Sequence, residues 1–297
     1  MNPPIQTVGH YENFPVASFV LPARLRAPVR AIYAFARSAD DLADEGEHPA
    51  SWRLEKLAEY HAHLHTLERG EAVDHPVFRA LAPTLREHAL PFALFHDLLD
   101  AFEQDCTKAR YADFGEVMQY CRRSANPVGR LLLALYGDHD PKHLAWSDGV
   151  CSALQLINFL QDVALDWQKG RVYLPQDEMG RFGISERQIA EGRVDALWQQ
   201  FMHTQIERTR RMLQASAPLG RALPGRLGVE MRLIILGGSR ILEKLHASQG
   251  DIFRQRPVLT PRDWLGMGIK ALFPGKHSRP AGGGGCANGH CGTGCKR

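Results

Sequence analysis

The sequence predicts an all-α fold, on three observations. Apolar residues recur at three- and four-residue spacing through most of the chain. Strict apolar–polar alternation is almost absent. Prolines stand at the entrances of periodic segments, as at Pro76 and Pro91.

Taken in order, residues 1–15 read as irregular, with Pro3, Pro4 and Pro15. Helices are expected over 16–25 and 27–44, separated by Pro22 and Pro28, and an exposed amphipathic helix over 51–68. Two more follow over 76–88 and 92–105. Asp113 and Glu116 form a capping pair for a helix that runs toward Tyr136 and is kinked by Pro127. The next helix spans 142–167, then a loop spans Gln168–Pro175. Helices over 195–215 and 226–248 and a short one after Thr260-Pro261 complete the set. Residues 1–275 are read as one domain. Residues 276–297 are read as a flexible tail, because Gly282–Gly285 and Cys286, His290, Cys291 and Cys295 offer no apolar face.

Composition narrows the function. Hydrophobic content of 44% and charged content of 23% suit a globular protein. A formal charge of +3 is too near balance to argue for a nucleic-acid partner. No apolar run reaches the roughly 18 residues of a transmembrane helix, and the start lacks a signal-peptide pattern, so a cytoplasmic location is expected. Cys106, Cys121 and Cys151 lie within helical patterns and read as reduced core thiols. His48, His61, His63 and His65 follow no metal-ligand spacing and read as surface residues.

Two acidic stretches carry the chemistry. Asp40, Asp41, Asp44 and Glu45 close the helix whose apolar face is Val29, Ile32, Tyr33, Phe35 and Ala36. Asp40 and Asp44 share one helical face, and so do Asp41 and Glu45. Such a run alone is more often a solvated helix end. The second stretch shifts the balance. Gln155, Asn158, Asp162 and Asp166 form a polar stripe among Leu154, Leu156, Ile157, Phe159, Leu160 and Val163. Charge on an apolar helix needs a partner or a metal. Hard carboxylate oxygens suit Mg²⁺, which bridges carboxylates to substrate phosphates. Two such helices facing each other would hold a metal cluster and a diphosphate between them.

Ordered together, these motifs resemble the squalene/phytoene synthase family, from about Asn13 to Trp264. Asp40–Glu45 is similar to the family's first aspartate-rich segment, Asn158–Asp166 to its second, and Gly170-Arg171-Val172-Tyr173-Leu174-Pro175 follows at the family's spacing. Tyr120-Cys121 corresponds to a Tyr-Cys pair on a kinked helix. The stretches Glu12–Ser18, Tyr120–Pro127 and Asn158–Asp162 are similar to the hydroxysqualene synthase branch, which converts presqualene diphosphate. The chain departs from the wider family at Gln161, where Arg is common, at Ser124-Ala125-Asn126, where Val-Ala-Gly is common, and at Asn13, where Ser is frequent.

The resemblance implies an isoprenoid-synthase helical fold around a central active-site cavity, about three Mg²⁺ ions and a prenyl diphosphate substrate. It implies metal ligation by Asp40, Asp41, Asp44, Asn158, Asp162 and Asp166. It places Asn13, Phe14, Arg37, Arg171 and Arg256 at the substrate and Tyr33, Arg37 and Tyr120 in the catalytic set. Asn126, Gln155 and Gln161, together with Ser124, are candidates to hold a quenching water. No NADPH is expected. Contact with sister synthases and with the membrane surface is an expected partnership. Each candidate has a plainer role to set against this. Tyr120 suits a core tyrosine, Asn126 a kink manager and Arg256 a surface cation. Synthases that join two prenyl diphosphates, or a non-catalytic helical partner of a sister synthase, are the competing readings.

Overall fold

The computed structural model describes residues 22–254 and 256–272. Asn13, Phe14 and the Cys-rich tail lie outside the described residues. Thirteen helices run in order among them: α1 Ala23–Asp44, α2 Ala50–Glu68, α3 Pro76–Glu87, α4 Phe92–Asp105, α5 Phe114–Ser124, α6 Asn126–Leu135, α7 Pro141–Gln168, α8 Gln176–Arg181, α9 Glu186–Ala190, α10 Ala196–Ser216, α11 Leu219–Ala222, α12 Gly225–Ala247 and α13 Pro261–Leu272. The expected all-α fold is found. Extended pairing among the described residues is confined to an isolated Arg110–Val172 bridge. No helix there is long and apolar enough to cross a membrane.

Three boundaries differ from expectation. Pro28 does not divide α1. It sits in the second turn, where it forfeits one bond to a carbonyl four residues back while its ring is buried. The helix expected to kink at Pro127 is instead two helices. Ala125 breaks the path at φ −116° and ψ −45°, and Pro127 opens α6, where its missing N–H costs nothing. The short helices α8, α9 and α11 were not expected, being too brief to show a period. Asp113 caps α5 by accepting from the Glu116 N–H. Glu116 reaches back to the Ala112 N–H, one residue beyond the usual reciprocal bond.

Two large cores flank a small one. In the first, Phe35 of α1 meets Phe78 of α3 and Phe95 of α4 edge-on, with ring centroids 5.7 and 5.3 Å apart. Leu57 and Leu64 of α2 close that core. The second core gathers Ile157 and Leu160 of α7, Phe201 and Ile206 of α10, and Ile241 and Leu242 of α12. α6 seats on α7 through Gly129, where a Cβ would collide with Ser147 Oγ and lie 2.6 Å from Cys151 Sγ. Between the two cores lies a mostly aromatic cluster of Tyr111, Val117, Tyr120, Cys121, Phe159 and Tyr173. Cys106, Cys121 and Cys151 are free thiols.

Phe35 is fully buried on the helix that carries the first acidic stretch. Phe35→Ala is expected to cost about 3–5 kcal/mol in urea denaturation, from lost transfer energy plus the cavity left behind. A loss below about 1 kcal/mol would mean that α1 does not depend on this aromatic contact.

Candidate active site

The acidic ends of α1 and α7 meet through a turn with a specific local cause. α7 ends in a Schellman motif. Gly170 takes φ +76°, its N–H bonds to the Trp167 carbonyl, and the Arg171 N–H bonds to the Asp166 carbonyl. The reversal throws Lys169 and Arg171 back toward α1. Lys169 Nζ lies 2.9 Å and an Arg171 amino group 2.5 Å from the two oxygens of Asp44. Arg110 donates to the Gly170 carbonyl at 2.6 Å, and Val172 N–H bonds to the Ala109 carbonyl, so the turn is fixed from outside.

A third cation arrives from the C-terminal side. Arg256 pairs through two guanidinium nitrogens with Asp162, one contact at 3.0 Å. The segment carrying it is held by three bonds. Gln161 Nε2 donates to the Pro257 carbonyl at 2.6 Å, Lys244 Nζ donates to the Val258 carbonyl at 2.6 Å, and Asp263 accepts from the Thr260 N–H at 2.8 Å. Arg37 lies 3.1 Å from Asp40 and 2.7 Å from Asp41 along α1. Tyr33, one turn earlier, is half-buried.

Sequence reasoning missed Asp105, which links the two sides. It ends α4 and accepts from Tyr120 at 2.6 Å and from Tyr173 at 3.1 Å. Its backbone carbonyl accepts from Arg171 at 3.1 Å. Tyr173 stacks on Phe159 with centroids 4.0 Å apart. A carboxylate at a helix C-terminus opposes the helix dipole, and that was the available signal in the sequence.

The carboxyls divide into two electrostatic classes. Burial pushes Asp44 up, but the bonds from Arg171 and Lys169 more than offset it and hold Asp44 below its ordinary value. Burial, then the charge of Asp44, raise Asp40 to about 6, with Arg37 only partly opposing. Burial raises Asp105 to about 6 despite the tyrosine bonds. Burial, then the charge of Asp162, raise Asp166 to about 7. Burial pushes Tyr120 well above its ordinary value, so it stays protonated.

The carboxylates of α1 and α7 stand at one junction without closing into a tight group: among the described residues none of them belongs to a set of three ligand atoms within 4.8 Å. Arginine and lysine pair with Asp40, Asp41, Asp44 and Asp162. The donor set still fits Mg²⁺, because Asp40 and Asp166 are half-buried oxygen ligands whose charge the surrounding cations leave under-compensated. Gln155 and Asn158 lie half-buried on α7. Gln161 is 1% exposed and anchors the Arg256 segment. Asn126 is buried, and its Oδ1 accepts from Ser152 at 2.8 Å.

A cavity of about 500 Å³ opens further along α7, lined on one side by Leu94, Met118, Pro127 and Met212 and on the other by polar groups that include Asn126, Ser152, Asp97, Arg122, Arg130 and Asp148. Ser152 precedes Asp162 by ten residues on α7, so the cavity lies roughly 15 Å along that helix from the acidic end.

The sequence model of squalene/phytoene synthases matches residues 7–263. The chain belongs to the squalene/phytoene synthase family. Members of this family synthesise isoprenoids from prenyl diphosphates. A hydroxysqualene synthase of Rhodopseudomonas palustris is 36% identical over 256 residues, covering 86% of this chain and 85% of that protein. One from Zymomonas mobilis is 36% identical over 233 residues, 76% of each. A phytoene synthase of Arthrospira platensis is 29% identical over 84% of both chains. The crystal structure of squalene synthase HpnC from Alicyclobacillus acidocaldarius superposes with a TM-score of 0.75 at 34% identity, covering 81% of this chain and 90% of that one.

The Asp166 shift has a measurable consequence for this family member. Its carboxyl titrates near the ordinary carboxylate value when unfolded and near 7 when folded. Both states are protonated at low pH, so the group costs nothing there. The cost grows as pH rises through the window and is complete above about 7. In EDTA, Asp166→Asn is therefore expected to match wild type near pH 4 and to exceed it by about 2–4 kcal/mol at pH 8 in urea denaturation. An equal difference at both pH values would remove the assigned cause.

Proposed function

We propose that the chain is a hydroxysqualene synthase, which ionises presqualene diphosphate, lets the cation rearrange and captures it with water, releasing diphosphate. The observation that carries this reading is the meeting of α1 and α7 carboxylates with Arg37, Lys169, Arg171 and Arg256 beside a tyrosine-lined apolar cluster. The motif pattern and the two similar hydroxysqualene synthases support the choice of reaction.

Asp40, Asp41, Asp44, Asn158, Asp162 and Asp166 would hold Mg²⁺, which neutralises the diphosphate and makes it a better leaving group. Arg256 and Arg171 turn from their carboxylates to the phosphate oxygens and meet the negative charge that grows there as the C–O bond breaks. The aromatic faces of Tyr120, Tyr173 and Phe159 favour a nearby cation and exclude bulk water. The apolar side of the cavity, formed by Leu94, Met118, Pro127 and Met212, would take part of the hydrocarbon chain. Water adds to the cation and gives up one proton, for which Asp105 is a suitably placed acceptor when ionised. Asn126 and Gln155 are the candidates to hold that water. Gln161 acts one step removed, by fixing the Arg256 segment.

Presqualene diphosphate supplied in ¹⁸O-labelled water with Mg²⁺ and no reductant should give labelled hydroxysqualene. Asn126→Leu should raise the share of eliminated or rearranged hydrocarbon more than it slows diphosphate release. Asp162→Asn should lower turnover at least a hundredfold while the helical circular dichroism stays unchanged, as expected for loss of a metal ligand. Product without label, or squalene formed only with NADPH, would overturn the reading. The second outcome would favour squalene synthesis, the activity for which the similar Alicyclobacillus protein is named. Turnover by the purified chain alone would also exclude a non-catalytic partner role.

A substrate of this kind is a lipid, and α13 offers a place for a membrane surface. Leu265 (71% exposed), Ile269 and Leu272 form an apolar stripe there. Co-sedimentation with anionic vesicles is expected to fall several-fold in Leu265→Asp/Ile269→Asp. Unchanged binding would remove α13 from membrane contact.

A further inference from the structure

A second, separate constellation lies on the outer face of α2 and α4, remote in sequence from both acidic stretches. His61, His65 and Glu68 on α2 meet His96, Asp100 and Glu103 on α4. His61, read from the sequence as a surface residue, is only 21% exposed, and its ring lies edge to edge with that of His96, nearly coplanar, with centroids 4.9 Å apart. The His65 ring stacks on His96, with centroids 4.5 Å apart.

The bonding pattern within this group is directional. The Nδ1 atoms of His61 and His96 lie 2.6 Å apart, so one donates and the other accepts. His61 Nε2 faces two carboxylates, Asp100 at 3.7 Å and Glu103 at 3.5 Å. These favour a proton on His61 Nε2, which leaves His61 Nδ1 as an acceptor and places the bridging proton on His96 Nδ1. His96 Nε2 is then a bare lone pair. That atom is buried without a hydrogen-bond partner, with a Glu68 oxygen 3.8 Å away. Glu68 in turn lies 2.8 Å from His65 Nδ1. One ligand atom each from His65, Glu68 and His96 falls within 4.8 Å of the others.

We propose that His65, Glu68 and His96 form a binding site for a divalent transition-metal ion of the zinc class, with His61 as the residue that orients His96. Two imidazoles and a carboxylate are a donor set that zinc accepts, with room for water as the fourth ligand. Tetrahedral zinc needs its ligands about 3.4 Å apart, so side-chain rotation of about 1 Å completes the set. A ligating imidazole that donates its other N–H into a chain ending in carboxylates is the usual outer-shell support of such a metal. Burial also lowers the proton affinity of His61 and His96, which keeps them neutral and able to coordinate. Two imidazoles select against Mg²⁺, so this site and the acidic ends of α1 and α7 take different ions. A bound ion would tie α2 to α4, the helix that ends in Asp105.

The test uses the full-length chain with Cys286, Cys291 and Cys295 changed to serine, in millimolar Mg²⁺, titrated with Co²⁺ and followed by its visible absorption. One saturable Co²⁺ equivalent, displaced by Zn²⁺, is expected. His65→Gln and His96→Gln should each weaken it at least tenfold, and His61→Asn about tenfold through loss of orientation. The melting temperature should rise by about 5 °C with excess Zn²⁺, and not in the His65 and His96 variants. His65 is exposed, so its variant keeps the test valid if His96→Gln fails to fold. Absence of visible absorption up to millimolar Co²⁺, or equal binding by wild type and His65→Gln, would overturn the proposal.

Discussion

The structure depends on pairing carboxylates that folding has largely withdrawn from water. Asp44 and Asp162 stand where the first core meets the second, and each would be costly to fold as a bare ion. Lys169 and Arg171 answer the first, and Arg256 answers the second. These cations come from outside the acidic segments, so the pairs also fix the loops that bring them. The 170–175 turn and the 256–260 segment are part of the site because charge compensation draws them there. Asp166 has the weaker compensation, and its raised proton affinity is the visible cost.

Neutral groups keep this arrangement in register. Gly170 is needed for the left-handed turn that sends Lys169 and Arg171 back across the end of α7. Gln161, at a position where the family resemblance led us to expect arginine, donates to the Pro257 backbone carbonyl. An uncharged amide suits that place. It can be buried almost completely at the cost of one good hydrogen bond, whereas a guanidinium would need another carboxylate. The cation required nearby is supplied by Arg256 instead.

Much of this was legible in the sequence. The long helices announced themselves by period, and α1 and α7 also by acidic residues on apolar helices. Arg171 and Arg256 came only through the family resemblance, since no local pattern marks an arginine in a loop as a partner for an aspartate scores of residues away. Asp105, and the bond that Tyr173 of the 170–175 motif makes to it, escaped notice because their meaning is tertiary: one carboxylate and two phenols become a network only when α4, α5 and the 170–175 turn converge. The break at Ala125 was misplaced because proline announces a disturbance without saying whether it bends one helix or starts another. The pairing of His61 with His96 spans 35 residues and two helices, so spacing within one helix could not reveal it.

The paired state also bears on how a diphosphate could enter. Stripping water from a free arginine and from a free carboxylate costs several kcal/mol each. In this structure that cost is met during folding, because Arg256 already faces Asp162 and Arg171 already faces Asp44. In the proposed reaction an incoming phosphate exchanges one anionic partner for another at each arginine, and each released carboxylate takes up a cation. The number of charge contacts is kept through the exchange, so desolvation is not repeated at the moment of binding. An open cluster of bare carboxylates would have to remain hydrated until the ion arrived and then shed that water against the ion's attraction. In the proposed reaction the salt bridges and the metal would thus draw on one set of carboxylate oxygens, which is why the arginines are needed at the same place as the ligands.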